Sequence, residues 1–244
     1  MRKTMTSDCQ KITIVNGWGA GAELWDDFVA QLDSRYQVDL INLPLGESDL
    51  GCDFSLLDLA AELDRQITAK THIIAWSLGG NVAMALANKC SDKIASLLTV
   101  AANPKFIQGD GWDNGMPRET FDEFYQSLLN NEVKALKLFA GLQAVGDRQE
   151  KVLLRKLRQL VGSQAPLNKQ VLAAGLNILA SVDQREYWLG LSCPEKHLYG
   201  EYDSLVPVEV AEFSHNSAVM SGVSHVPMLS ATAALVAIVE EFIA

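Results

Sequence analysis

The chain has 244 residues, a length suited to one α/β domain with an inserted subdomain, and 48% of them are hydrophobic, enough for a substantial core and too many for wholesale disorder. A formal net charge of −10 argues against general nucleic-acid binding, and no apolar run reaches the ~18 residues of a membrane span. The polar start, Met1 to Lys11, lacks the apolar centre of a secretory signal; Cys9, Cys52, Cys90 and Cys193 are scattered with no C-x-x-C pair, so reduced structural thiols, a cytoplasmic location and no metal site are expected.

Lys11 to Val15 reads as a buried strand ending at Asn16-Gly17-Trp18-Gly19, and Trp25 to Leu32 has helical spacing. Gln37 to Leu43 is a second strand, stopped by Pro44. Ser55 to Ile67 is helical, with Ser55 and Asp58 near its start. Thr71 to Ala75 is a third strand, leading into Ser77; Asn81 to Asn88 continues a helix, and Ile94 to Ala101 is a fourth strand. This alternation predicts a mostly parallel central sheet with helices on both faces.

The rhythm breaks near Asn103-Pro104. From Met116 to Val182 the pattern is helical, most clearly over Thr120 to Leu129, Glu132 to Ala144, Arg148 to Val161 and Lys169 to Ala180. Strands return at Glu195 to Tyr199 and Ala218 to Ser221, and a last helix runs from Ala231 to Ile243. Residues 104–185 are therefore expected to form a helical cap inserted into a core made of residues 1–103 and 186–244. From Val133 to Lys169, eight basic residues face only Asp147 and Glu150, a local net of +6 that leaves −16 for the rest of the chain. Most charge runs are solvated helical faces; in so acidic a protein a basic island also suits an acidic partner or substrate.

The segment Ile73-Ile74-Ala75-Trp76-Ser77-Leu78-Gly79-Gly80 has the form of a nucleophile elbow, with Ala75 in the first glycine position of G-x-S-x-G. Serine followed by glycines also opens ordinary helices, so the pattern counts only with the rest of a hydrolytic site downstream. The expected order is Ser, then an acid after a late strand, then His. Tyr199-Gly200-Glu201-Tyr202-Asp203 places Asp203 after a strand and a glycine turn, and Ser224-His225 follows the next strand. Of the four histidines, His72 and His197 lie in strands and His215 precedes one, which leaves His225 as the base. Asp183 and Asp92 are competing acids, and Glu201 is a minor alternative. The backbone N–H of Leu78, at a helix N-terminus, and that of Trp18, in the loop after the first strand, are the candidate oxyanion donors.

Taken together, these motifs resemble the α/β-hydrolase superfamily over nearly the whole chain. Within it, Gly17-Trp18-Gly19, Trp76-Ser77-Leu78-Gly79-Gly80, Thr99-Val100-Ala101, Leu142-Gln143, Gly175-Leu176, Ile178-Leu179, Val182-Asp183 and Leu205-Val206-Pro207 resemble the pimeloyl-acyl-carrier-protein methyl ester carboxylesterases of biotin synthesis. The resemblance implies an α/β-hydrolase fold with an inserted helical cap, no cofactor, and hydrolysis of a pimeloyl methyl ester held on an acidic acyl-carrier protein. It implies that Lys134, Lys151 and Arg155 receive the carrier, that Phe139 lines the acyl channel, that Trp18 and Trp76 flank the ester, and that the protein is a monomer. The chain departs from the pattern at Asn16, where histidine is usual, at the shortened loop from Asn42 to Ser48, at Leu138, where an arginine is usual, and in an N-terminus that leaves little room for an opening β-hairpin. The alternatives are a hydrolase of the same fold acting on another small ester, a lactone or a carbon–carbon bond, and a hydrolase-like binding protein without catalysis.

Overall fold

Six strands form a single sheet: β1 (Gln10–Val15), β2 (Tyr36–Ile41), β3 (Thr71–Trp76), β4 (Ile94–Val100), β5 (Glu195–Gly200) and β6 (Ser217–Met220). Their order is β2-β1-β3-β4-β5-β6, and each neighbouring pair is parallel. The computed structural model describes residues 10–43, 53–89, 92–163 and 168–244. Cys9, Cys52, Cys90, the N-terminal stretch and most of the shortened loop, from Pro44 to Ser48, lie outside these described residues.

Alternate residues of each central strand feed two separate apolar clusters. Ile73 and Leu97 pack with Leu59, Leu63 and Val82 from α2 (Leu56–Gln66) and α3 (Leu78–Lys89). Ile74 and Leu98 pack with Phe28, Leu235 and Val239 from α1 (Asp26–Gln31) and a helix at the C-terminal end of the chain (Thr232–Ile243). Both faces are buried, which is why these strands read as continuous apolar runs. Helix α2 opens with a capping box: the Ser55 hydroxyl accepts from the Asp58 amide at 3.2 Å and the Asp58 carboxylate accepts from the Ser55 amide at 2.8 Å. Two boundaries differ from the sequence expectation. The helix foreseen from Trp25 begins as a 3-10 turn, Ala22–Trp25, and β2 ends at Ile41, where its pairing with β1 stops.

Four helices fill the connection between β4 and β5: α4 (Arg118–Asn130), α5 (Glu132–Ala144), α6 (Glu150–Ser163) and α7 (Lys169–Ser181). The two ends of this excursion meet. The Gln184 backbone amide donates to the Pro104 carbonyl at 2.8 Å, Asn81 Nδ2 donates to Gln184 Oε1 at 2.9 Å, and Gln184 Nε2 donates to the Asn81 backbone carbonyl at 3.0 Å. Helix α7 is tied to the loop after β1 by the Trp18 indole, which donates to the Leu172 carbonyl at 2.8 Å. Strand order reverses between β1 and β3, so the chain leaves their carboxyl ends in opposite directions and opens a crevice there. The chain completes the core with the one-turn α8 (Pro227–Ser230) and α9 (Thr232–Ile243). Among the described residues, no helix is long and apolar enough to cross a membrane.

Candidate active site

At the crevice, the chain turns from β3 into α3 on Ser77, whose φ of 54° lies in the left-handed region that residues with a side chain seldom occupy. Hydrogen bonds on both sides hold this conformation: Ser77 N–H to the Val100 carbonyl at 2.9 Å, and Gly80 N–H to the Ser77 carbonyl at 2.8 Å. The start of α3 presses on the end of β1, since a Cβ on Gly79 would lie 2.5 Å from the Asn16 carbonyl oxygen and 2.6 Å from that of Val15. Glycine is therefore demanded by backbone contact at that position, while the fully buried Ala75 fits within β3.

Asp203 and His225 come from the loops after β5 and β6, at the same edge of the sheet. Asp203 Oδ2 lies 2.7 Å from His225 Nδ1, and His225 Nε2 lies 3.1 Å from Ser77 Oγ. The other carboxylate oxygen of Asp203 accepts from the amides of Leu205 at 2.8 Å and Val206 at 3.0 Å, which aims Oδ2 at the imidazole. A carboxylate on Nδ1 keeps the proton there and leaves the Nε2 lone pair for the serine hydroxyl. Asp203 and His225 are buried, and Ser77 is half-buried.

Four of the competing residues are engaged elsewhere. Glu201 accepts from Ser221 Oγ and the Gly222 amide, both at 2.7 Å, and these hydrogen bonds hold its carboxyl below the usual range. Asp183 is paired with Arg185 and Lys105, which bring its pKa down to about 2. His72 meets Ser96 at 2.9 Å, and His197 meets Thr99 at 2.7 Å inside the core.

Leu78 is the first residue of α3, so its N–H has no acceptor within the helix. The Gly17–Trp18 segment runs against the serine: a Cβ on Gly17 would lie 3.0 Å from Ser77 Cβ. Asn16 braces this segment from below. Its Oδ1 accepts from the Gly17 amide at 3.1 Å and the Trp25 indole at 3.2 Å, and its Nδ2 donates to the Gly21 carbonyl at 2.7 Å and Asn42 Oδ1 at 3.1 Å.

Above Ser77 and His225 lies a narrow, mainly apolar cavity of about 40 Å3, walled by Trp18, Phe106, Phe121, Phe124, Phe139 and Leu142 among others. Trp18 meets Phe139 and Phe124 edge-on, with ring centroids 5.0 and 5.8 Å away. Trp18 and Phe139 thus both wall the cavity beside Ser77. Trp76 does not line this cavity. It is buried beneath the histidine, its indole donating to the His225 carbonyl at 2.9 Å, and so supports the His225 loop instead of facing the cavity.

Lys151 and Arg155 stand one turn apart on the exposed side of α6, and Lys134 is exposed on the first turn of α5. Lys134 borders a surface cleft shared with Glu119, Asp122 and Glu123 of α4, so the basic island meets an acidic helix on that side. Two of its eight charges bond to the core: Lys156 to Asp27 at 2.7 Å, and Arg148 to Ser221 Oγ at 3.4 Å. Among the described residues, no cluster of three or more His, Cys, Asp or Glu side chains could hold a metal ion. The roles of Trp76 and of the Leu205 and Val206 amides escaped sequence reasoning, because each depends on a contact that no local pattern announces.

The profile described as the alpha/beta hydrolase family matches residues 14–238. The chain is similar to a pimeloyl-[acyl-carrier protein] methyl ester esterase of Aeromonas hydrophila, with 33% identity over 241 residues, 95% of this chain and 94% of that one. It is similar to a protein of the same description from Methylococcus capsulatus, with 32% identity over 244 residues, 96% of this chain and 94% of that one. Among solved structures, an esterase from Exiguobacterium antarcticum superposes with a TM-score of 0.80 at 17% identity, covering 96% of this chain and 91% of the other.

Proposed function

Because the chain belongs to the alpha/beta hydrolase family, we propose that it is a serine carboxylesterase hydrolysing the methyl ester of pimeloyl-acyl-carrier protein in biotin synthesis. The observation that carries the chemistry is the chain of contacts from Asp203 through His225 to Ser77, 2.7 and 3.1 Å long, at the floor of an apolar cavity. The substrate follows from the similarity to the methyl ester esterases over nearly the whole chain.

In this reading, His225 Nε2 takes the Ser77 proton as Oγ attacks the ester carbonyl carbon. The N–H groups of Leu78 and Trp18 receive the negative charge that develops on the carbonyl oxygen. Asp203 remains ionised and stabilises the imidazolium. His225 then hands its proton to the departing methoxide, releasing methanol, and next deprotonates a water that attacks the acyl-enzyme. The pimeloyl carboxylate is freed and Ser77 is restored. Residues 104–185 act as the cap, with Trp18 and Phe139 lining the acyl path. Lys134, Lys151 and Arg155, on the cap surface, attract the acidic carrier. A monomer working in the cytoplasm suits this role.

The test is rescue of a biotin auxotroph lacking its methyl esterase. The unaltered chain restores growth without biotin, and Ser77→Ala does not. Failure of the unaltered chain despite good soluble expression overturns the pathway role, and cleavage of p-nitrophenyl acetate by Ser77→Ala overturns the catalytic one.

A further inference from the structure

Asp147 sits in the turn between α5 and α6, outside the triad, yet its carboxylate is buried. It is spent on the residue next to the catalytic histidine. Oδ2 accepts from the Ser224 amide at 2.9 Å and lies 3.1 Å from Ser224 Oγ, while Oδ1 accepts from the Gln149 amide at 2.8 Å. The Ser224 hydroxyl also reaches the Gln143 carbonyl, at 2.7 Å. Three more bonds fasten the end of α5 and the turn after it to the segments around Asp203 and His225. Arg148 N–H donates to the Gly222 carbonyl at 3.1 Å, Gln149 Nε2 to the Ser230 carbonyl at 2.8 Å, and Ser204 Oγ to the Leu142 carbonyl at 2.7 Å. Ser204 and Ser224 adjoin Asp203 and His225, so the last turn of α5 and the connection after it together hold both loops.

A buried carboxylate is costly unless its hydrogen bonds are made, and here they are made to a loop 77 residues away. His225 is held on one side by Trp76, through its carbonyl, and on the other by Asp147, through the neighbouring Ser224 amide. From this geometry we infer that Asp147 is a positioning residue for the proposed esterase: by anchoring Ser224 it sets the place of the His225 imidazole relative to Ser77. The inference rests on the functional reading above, in which His225 is the base. It also makes α5 and α6, which carry Lys134, Lys151 and Arg155, the element that holds the histidine loop.

The test compares Asp147→Ala, Asp147→Asn and Ser224→Ala on p-nitrophenyl butyrate, with active sites counted by fluorophosphonate labelling and folding followed by thermal melting. A misplaced base slows the chemical step, so Asp147→Ala lowers kcat by about 10- to 100-fold with KM within about twofold. Asp147→Asn, which keeps an acceptor for the Ser224 amide, restores kcat to within a few-fold of the unaltered enzyme. Ser224→Ala keeps the amide bond and loses only the hydroxyl, so its kcat falls by about threefold or more at unchanged KM. An unchanged kcat in folded Asp147→Ala, or a loss that labelling shows to equal the fraction unfolded, overturns the inference. If Asp147→Ala does not fold, an unchanged kcat in Ser224→Ala overturns it. Ser77→Ala is the control: its inactivity beside a fully active Asp147→Ala removes this inference and leaves the esterase reading standing.

Discussion

Asn16→Ala tests whether the loop after β1 is held by one buried amide side chain. Asn16 is fully buried and its side chain makes four hydrogen bonds, to Gly17, Trp25, Gly21 and Asn42. Asn42 is exposed and turns to water when the amide is lost. The Gly17 amide, the Trp25 indole and the Gly21 carbonyl keep no replacement partner among the contacts described. Gly21 is half-buried, so water can reach its carbonyl, whereas the Gly17 amide and the Trp25 indole are buried; each orphaned buried group costs about 1–3 kcal/mol, so the substitution destabilises the protein by about 2–6 kcal/mol. For a chain of this size that lowers Tm by roughly 4–24 °C. The Gly17–Trp18 backbone, which runs against Ser77, loses its brace at the same time, and loosening the proposed oxyanion donor lowers kcat by about 10- to 100-fold. Asn16→Asp keeps both acceptor contacts but sets a carboxylate oxygen against the Gly21 carbonyl, so it also destabilises while retaining more activity than Asn16→Ala. Urea and thermal unfolding give the first quantity, and p-nitrophenyl ester hydrolysis below the melting range gives the second. A loss under about 1 kcal/mol, with kcat unaltered, refutes the reasoning.

Gly79→Ala drives a methyl group into the backbone oxygens of Val15 and Asn16, so it yields little soluble protein or a Tm lower by several degrees; an unchanged melting curve counts against the tight elbow. His197 is buried, stacked on Trp188, and burial brings its pKa down from 6.5 to about 4. Its contribution to stability is complete above pH 6.5 and declines as the pH falls toward 4, because only the unfolded chain takes the proton in that window, a loss of about 2–3 kcal/mol by pH 4.5. His197→Gln removes that part of the slope in urea titrations at pH 7 and 4.5, and identical slopes refute it. Reversing charge with Lys151→Glu and Arg155→Glu lowers kcat/KM on a carrier-bound ester about tenfold or more and weakens its salt dependence, with a much smaller effect on a short free ester. Equal losses on both substrates show that the patch only supports the fold.

Strand positions and the chain order Ser77, Asp203, His225 were legible in the amino-acid sequence because each has a local signature. Apolar runs closed by glycine or proline mark buried strands, and the three side chains stand directly after strands or their turns. Helix α5 spans the expected Glu132 to Ala144; the Asn131 side chain accepts from the Lys134 amide at its start, and the left-handed Gly146 follows its end. Contacts between distant segments were decided by tertiary structure alone. The resemblance implied a substrate contact for Trp76, yet the alternation of β3 sends its ring beneath the His225 loop, 149 residues away. The basic island likewise looked uniform, and only packing shows Lys156 bonded to Asp27 and Lys134 beside the acidic face of α4. Periodicity and turn chemistry act over a few residues and so appear in the sequence, whereas the partner of a buried polar group is selected by which loops the sheet order brings to one edge.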